Sequence, residues 1–128
     1  MLGGDVEGKT VGMLGLSFKP ETDDIREAPA LDIASELIKR GATVRAYDPA
    51  AMEASQKVLP ELICCEDAYD ALTGADVMTI VTEWNEFRML DLTRAKELMA
   101  APRMVDMRNI YDGASMAAAG FEYKGVGV

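Results

Sequence analysis

Short apolar runs alternate along the chain with segments in which apolar residues recur at helical spacing. A run of about four to eight apolar residues is typical of a buried strand, whereas recurrence at every third or fourth position is typical of a helix that buries one face. This pattern predicts strands at residues 10–16, 43–47, 62–64, 77–81, 104–106 and 121–123, and helices at 29–40, 50–57, 68–72 and 92–99.

The helix at 29–40 has the clearest predicted boundaries. Pro29 suits a first helical turn, where its missing N–H costs nothing, and Gly41 suits the left-handed residue that ends a helix. Lys39 and Arg40 add positive charge in the last turn, which complements the helix dipole.

Strands that alternate with helices through short connections indicate an α/β protein with a parallel sheet. We therefore predict a Rossmann-like three-layer sandwich, with a mostly parallel sheet between helices on both faces. No linker-like stretch divides the chain. We expect one domain at residues 9–128, and residues 1–8 are interpreted as a lead-in from a region upstream.

The chain is acidic, with 13 Lys and Arg against 22 Asp and Glu and a formal charge of −9. Such a field repels polyanions, so we expect neither nucleic acid nor an anionic membrane as a partner. A small phosphate ligand held by a few local cations remains compatible with it. Without a membrane-length apolar stretch or a signal-peptide pattern, we expect a cytoplasmic protein.

Residue types with common catalytic and metal-binding roles are scarce. The chain has no His, which removes the commonest proton-transfer residue and metal ligand. Cys64 and Cys65 are adjacent, a spacing unsuited to an ordinary disulfide, and two thiols fall short of a zinc site. Glu66 and Asp67 are expected to raise the thiol pKa. We interpret both cysteines as reduced and structural, and predict no catalytic residue and no metal site.

Two cations follow predicted strands of this acidic chain. Lys19 comes after the first strand, and Arg108 comes after the strand at 104–106. In open α/β sheets, ligands bind beyond the carboxyl ends of the strands, where Lys and Arg can hold phosphate oxygens. The pattern alone leaves two hypotheses open, a phosphate site or surface cations paired with the surplus of carboxylates.

A dinucleotide fingerprint is incomplete in this sequence. Gly12 and Gly15 have Gly-x-x-Gly spacing instead of Gly-x-Gly-x-x-Gly. Asp48 ends the second strand, where such folds place the carboxylate that binds a ribose, but it lies 33 residues after Gly15. The usual interval is about 20 residues. We do not expect a self-sufficient NAD site in this chain.

Several other side chains near the predicted edge have two interpretations each. Arg26 and the acidic pair at 23–24 could serve a helix N-terminus or reach a ligand, and the pattern favours the helix role. Trp84 could stack on a base, but packing in the core is the commoner role. Glu83 and Glu86 are acid/base candidates without any partner apparent in the sequence.

Several blocks occur in a characteristic order. They are GLSFKPETDDIREAP at 15–29, YDP at 47–49, VTEWNEF at 81–87, DMRNIY at 106–111 and GFEYKGVG at 120–127. Together they resemble the C-terminal domain of the UDP-glucose/GDP-mannose dehydrogenase family. The blocks at 81–87 and 106–111 resemble the UDP-glucose enzymes more than those for GDP-mannose or UDP-N-acetylmannosamine.

The resemblance implies a function for the longer protein. Enzymes of this family oxidise the C6 alcohol of a nucleotide sugar twice with two NAD⁺, here UDP-glucose to UDP-glucuronate, a step of polysaccharide biosynthesis. An N-terminal domain binds most of the NAD, a central helical region follows, and the C-terminal domain binds the nucleotide sugar. The family's catalytic cysteine lies upstream of the region resembled here. The chain alone is then expected to bind UDP-glucose without catalysis and to be a monomer, whereas the full-length enzyme forms a homo-oligomer.

The resemblance also implies roles for individual residues. Phe18, Lys19 and Arg108 match positions that contact the UDP-sugar. Arg26 matches a position that reaches the NAD across the domain cleft. These matches favour the phosphate hypothesis for Lys19 and Arg108, and they favour a ligand role for Arg26.

Two positions depart from the family pattern, and three alternatives stay open. Met107 stands where a small glycine is usual, and Val128 stands where a basic residue is common. One alternative is the equivalent domain of a GDP-mannose dehydrogenase, and another is that of a UDP-N-acetylmannosamine dehydrogenase. The third is a free-standing nucleotide-binding module; a receiver-like module would need acidic residues after the first strand, where Phe18 and Lys19 stand.

Overall fold

The computed structural model of this chain describes residues 7–16, 29–82, 84–106 and 113–125. Its strands are β1 Thr10–Leu14, β2 Thr43–Tyr47, β3 Ile63–Cys64, β4 Val77–Ile80, β5 Arg103–Asp106 and β6 Glu122–Gly125. Its helices are α1 Pro29–Lys39, α2 Met52–Val58, α3 Ala68–Leu72, α4 Asn85–Arg88, α5 Leu92–Leu98 and α6 Gly113–Ala118.

The strands form a single six-stranded sheet in the order β3-β2-β1-β4-β5-β6. Every pairing is parallel, so the predicted α/β class is confirmed and the mostly parallel sheet is parallel throughout the described residues. This is the order of a doubly wound nucleotide-binding fold, and it reverses direction between β1 and β4. All strands therefore end at one edge, which we call the carboxyl edge.

Two apolar layers enclose the sheet, as the three-layer prediction requires. The cluster on one face joins α1 and α2 to the sheet through residues that include Met13, Ala34, Val44 and Ala51. The cluster on the opposite face joins α3, α4, α5 and α6 to it through residues that include Leu14, Met78, Phe87 and Met116. Successive residues of β1 point to opposite faces, so Met13 and Leu14 each enter a different cluster.

All ten predicted elements are observed, each boundary lies within two residues of the predicted one, and two of the differences have clear local causes. The first strand ends at Leu14 rather than at residue 16, because Gly15 has a φ of +102° and the N–H of Leu16 bonds to a side chain. The last strand begins after Phe121, which is buried in the core.

Two short helices were absent from the predicted elements. The four residues of α4 are too few to establish a helical period. In α6, Met116 is the only large apolar residue among small ones, and it is fully buried. In both cases the segment offers no repeating apolar pattern from which a helix could be predicted.

Within the ranges that the structure describes, no helix has both the length and the apolar character needed to cross a membrane.

Candidate functional site at the carboxyl edge

The predicted ligand residues lie outside the described residues. These are Phe18, Lys19, Arg26 and Arg108. The structure describes the chain up to Leu16, three residues before Lys19, and up to Asp106, two residues before Arg108. Both approaches end at the carboxyl edge, and β4 alone separates β1 from β5 in the sheet.

The crevice expected in this fold begins between the ends of β1 and β4, where the strand order reverses. The N–H of Val81 donates to the carbonyl of Leu14 at 2.9 Å, which continues the ladder past the end of β4. Immediately beyond, Gly15 lies against Thr82. A Cβ added to Gly15 would come within 2.5 Å of the backbone nitrogen of Thr82. The ends of β1 and β4 thus meet in a close backbone contact that requires glycine.

Asp48, directly after β2, organises this edge. Its side chain is fully buried. Oδ2 accepts hydrogen bonds from the N–H of Leu16 at 2.8 Å and from the indole Nε1–H of Trp84 at 3.2 Å. Oδ1 accepts from the N–H groups of Ala50 and Ala51, each at 2.8 Å. One carboxylate therefore joins the residues that follow β1, β2 and β4.

The structure gives Asp48 and Gly12 roles other than those of a dinucleotide fingerprint. A carboxylate that binds a ribose must face the ligand, whereas Asp48 is buried and bonded to the protein. Gly12 lies within β1, and a Cβ there would come within 2.9 Å of the Ala71 carbonyl in α3. Gly12 therefore allows a helix to pack closely on the sheet and is not part of a phosphate-binding loop.

Trp84 packs in the structure, in agreement with the interpretation favoured from the sequence. It lies against the cluster that contains Phe87. The ring of Phe87 also meets that of Tyr47 edge-on, with centroids 6.3 Å apart. Glu86, which had no apparent partner in the sequence, interacts with the Tyr47 hydroxyl. Burial and then the Glu86 charge and hydrogen bond raise the pKa of Tyr47 to about 12.

A second buried aspartate ends β5. Asp106 is fully buried, and its Oδ2 accepts a hydrogen bond of 2.9 Å from the Tyr123 hydroxyl on the neighbouring β6. This bond connects two adjacent strands, one of which leads towards residue 108. Pattern analysis did not identify Asp106 or Tyr123, because their contact depends on sheet order.

The cysteines occupy structural positions in the described part of the chain. Neither forms a disulfide, and burial raises the pKa of both thiols. The direction predicted for the thiol pKa is correct, but the leading cause is burial and not the neighbouring acids. Arg45 partly opposes the rise for Cys65, while its guanidinium bonds to the Asp70 carboxylate at 3.0 Å. Within the described ranges, no three acidic or thiol side chains gather closely enough to hold a metal ion.

This chain is similar to a known protein family and to individual proteins of established function. Residues 12–113 match the model described as the UDP-glucose/GDP-mannose dehydrogenase family, UDP binding domain. A UDP-glucose 6-dehydrogenase of Rhizobium meliloti (strain 1021) is 46% identical over 125 residues, which make up 98% of this chain and 29% of that protein. The chain likewise covers 28% of a Pseudomonas aeruginosa UDP-glucose 6-dehydrogenase, with 42% identity. It therefore spans less than a third of the length of these curated relatives.

Solved structures share the fold. A UDP-glucose dehydrogenase from Pyrobaculum islandicum is 36% identical with a TM-score of 0.70, and the match covers 80% of this chain and 22% of that one. An NDP-N-acetyl-D-galactosaminuronic acid dehydrogenase from Methanosarcina mazei Go1 is 26% identical with a TM-score of 0.83, covering 98% of this chain and 26% of that one.

Proposed function

The chain belongs to the UDP-glucose/GDP-mannose dehydrogenase family, and we propose that it is the C-terminal, UDP-sugar-binding domain of a UDP-glucose 6-dehydrogenase. Residues 9–128 form this domain, and residues 1–8 lead into it. The observation that carries the proposal is the 46% identity to a UDP-glucose 6-dehydrogenase across 98% of the chain. The reversal of strand order at β1 and β4 supports it, since nucleotides bind at such a point.

We propose that Phe18, Lys19 and Arg108 contact the UDP-sugar. Lys19 supplies a point charge and Arg108 a planar fork, and together they suit a diphosphate. Support comes from the described residues, because Leu16 and Asp106 bring the chain to the same edge on two strands separated only by β4. The role of the domain is then to hold the UDP part while the distant sugar C6 meets the reactive groups of the longer protein. Positioning of this kind can lower a barrier by up to about 7–11 kcal/mol.

The proposal assigns NAD mainly to parts of the enzyme outside this chain. The residues described here do not fit a self-contained NAD site, since Asp48 is buried and the glycine fingerprint is incomplete. NAD accepts hydride when bound, and Arg26 is the residue of this chain that we propose reaches it. The full-length enzyme is proposed to act as a cytoplasmic homo-oligomer.

The family description names two nucleotides, so the choice of UDP over GDP needs its own support. Curated UDP-glucose 6-dehydrogenases are 46% and 42% identical to this chain. Among solved structures, the UDP-glucose dehydrogenase from Pyrobaculum islandicum is 36% identical, whereas structures described as a UDP-D-ManNAc dehydrogenase and a UDP-N-acetyl-mannosamine dehydrogenase are 25% and 28% identical. The sequence is thus more similar to the enzymes named for UDP-glucose.

Calorimetric titration tests the proposed binding directly. We expect the 128-residue chain to bind UDP and UDP-glucose, to bind GDP more weakly, and to produce no NADH from UDP-glucose and NAD⁺. Loss of a charge-assisted phosphate contact in Lys19→Ala or Arg108→Ala should weaken UDP binding by roughly 1.5–3 kcal/mol. Lys9→Ala and Arg40→Ala are matched controls, because these exposed cations lie near the opposite edge of the sheet.

Three results would contradict parts of the proposal. Equal affinity for UDP in the wild type, Lys19→Ala and Arg108→Ala would leave the phosphate contacts without support. Tighter binding of GDP than of UDP would favour the GDP-mannose alternative. Formation of NADH by the chain alone would refute its assignment as a binding domain.

A further inference from the structure

The two oxygens of the Asp48 carboxylate have different partners. Oδ1 bonds to Ala50 and Ala51, two and three residues ahead, which is an ordinary local turn at the start of a helix. Oδ2 bonds to Leu16 and Trp84, which are 32 and 36 residues away in sequence. The local turn would need only one acceptor oxygen, so it does not account for the second one.

The non-local partners follow the two strands between which this fold places its ligand crevice, and we call the residues that leave those strands its two walls. Leu16 follows β1, and Trp84 follows β4, the two strands between which the sheet order reverses. The last described ladder bond between these strands is from Val81 to Leu14, and Gly15 contacts Thr82 just above it. Beyond that point, Oδ2 is a single atom that holds the residues leaving both strands.

The burial of Asp48 makes this connection rigid. A buried carboxylate is costly unless hydrogen bonds satisfy it, and here donors from three segments approach it. Movement of either wall away from Asp48 would break one of the hydrogen bonds that satisfy the buried carboxylate. The carboxylate therefore resists changes in the separation of the two walls.

We infer that Asp48, acting through Trp84 and Leu16, is a positioning residue that sets the width of the nucleotide crevice for UDP binding. This inference rests on the proposed function. Asp48 itself does not contact the ligand, because it is fully buried behind the walls. Its role is to keep both walls in place before the ligand arrives, so that less conformational freedom is lost on binding.

The test compares UDP affinities among variants that circular dichroism shows to be folded at the temperature of titration. Trp84→Phe removes the indole N–H while keeping an aromatic ring and the other bonds of Asp48. We expect it to weaken UDP binding by about threefold, and Asp48→Asn by about tenfold. Asp76→Asn makes the same substitution at the opposite end of β1, where the side chain accepts the N–H of Thr10. It should keep the wild-type affinity within about twofold.

The outcomes separate the inference from the proposed function. Unchanged UDP affinity in Trp84→Phe, with a wild type that binds UDP, overturns the inference and leaves the proposed function standing. An equal loss in Asp76→Asn also overturns it, since the loss of affinity would then not be specific to the carboxyl edge. If Asp48→Asn does not fold, Trp84→Phe alone decides. A wild-type chain that does not bind UDP overturns the proposed function and the inference together.

Discussion

An aspartate holds β1 at each end, but the two attachments differ in reach. At the amino end, Asp76 accepts the N–H of Thr10 through its side chain and donates its own N–H to the Thr10 carbonyl, both at 2.8 Å. At the carboxyl end, Asp48 accepts from Leu16, from the start of α2 and from Trp84. Asp76 is partly exposed, whereas Asp48 is fully buried.

The difference indicates how the two edges of the sheet are built. The attachment at the amino edge joins two neighbouring strands and could be lost without disturbing a third segment. The attachment at the carboxyl edge joins three segments through one buried group, so a change at any of them reaches the others. A ligand site benefits from such coupling, because side chains held by several partners keep their geometry.

Glycine-to-alanine substitutions should give the largest difference in unfolding free energy between the two edges. Gly15 at the carboxyl edge and Gly74 at the amino edge both have positive φ, at +102° and +75°. An added Cβ meets Thr82 at 2.5 Å in the first case and nothing within 4 Å in the second. We expect Gly15→Ala to cost about 3 kcal/mol or more and Gly74→Ala about 1–2 kcal/mol of unfolding free energy. Urea denaturation measures both.

Equal losses in Gly15→Ala and Gly74→Ala would contradict the comparison. Strain at positive φ would then explain both effects, and the contact between Gly15 and Thr82 would contribute nothing of its own. A native-like Gly15→Ala with unchanged stability would mean that the ends of β1 and β4 can separate at little cost.

Paired Asp→Asn substitutions should give the next largest contrast. An asparagine has one acceptor oxygen, which suffices for Thr10 at position 76 but cannot serve both pairs of donors at position 48. We expect Asp48→Asn to lose roughly 2–5 kcal/mol and Asp76→Asn less than about 1 kcal/mol. Urea denaturation measures each loss, because a shift of the midpoint at an unchanged m value is a change in the free energy of unfolding. A smaller loss at position 48 than at position 76 would reverse the proposed ranking of the edges.

The smallest predicted effect is a dependence of stability on pH that arises from Tyr47 at the carboxyl edge. Burial and Glu86 raise the pKa of Tyr47 from 10.0 to about 12, so folding favours the neutral phenol. This contribution is complete below the unfolded pKa and is lost as pH rises through the folded one. Between about pH 9 and about pH 11.5, the wild type should therefore lose stability relative to Tyr47→Phe. The difference between their urea midpoints at the two pH values measures this, and a constant difference would argue against the raised pKa.

The pattern of apolar and polar residues was sufficient to predict an element whose apolar residues recur within the segment itself. The strand at 43–47 and the helix at 68–72 are observed with their predicted bounds, because apolar spacing along each segment decides which side is buried. It was insufficient for α6, where Met116 is the one large apolar residue and sets no repeating apolar pattern. The chosen site residues, Phe18, Lys19, Arg26 and Arg108, came from the resemblance and stay predictions.

The sequence alone determined the six described strands, the four helices other than α4 and α6, the parallel α/β class and the family, since these depend on local periodicity and on ordered motifs. The tertiary structure decided the role of Asp48. From the sequence it looked like a carboxylate incompletely suited to a ribose, and the fold made it a buried group that joins two walls. The reason is physical: its partners Leu16 and Trp84 lie 32 and 36 residues away, and only the pairing of β1 with β2 and β4 brings them together.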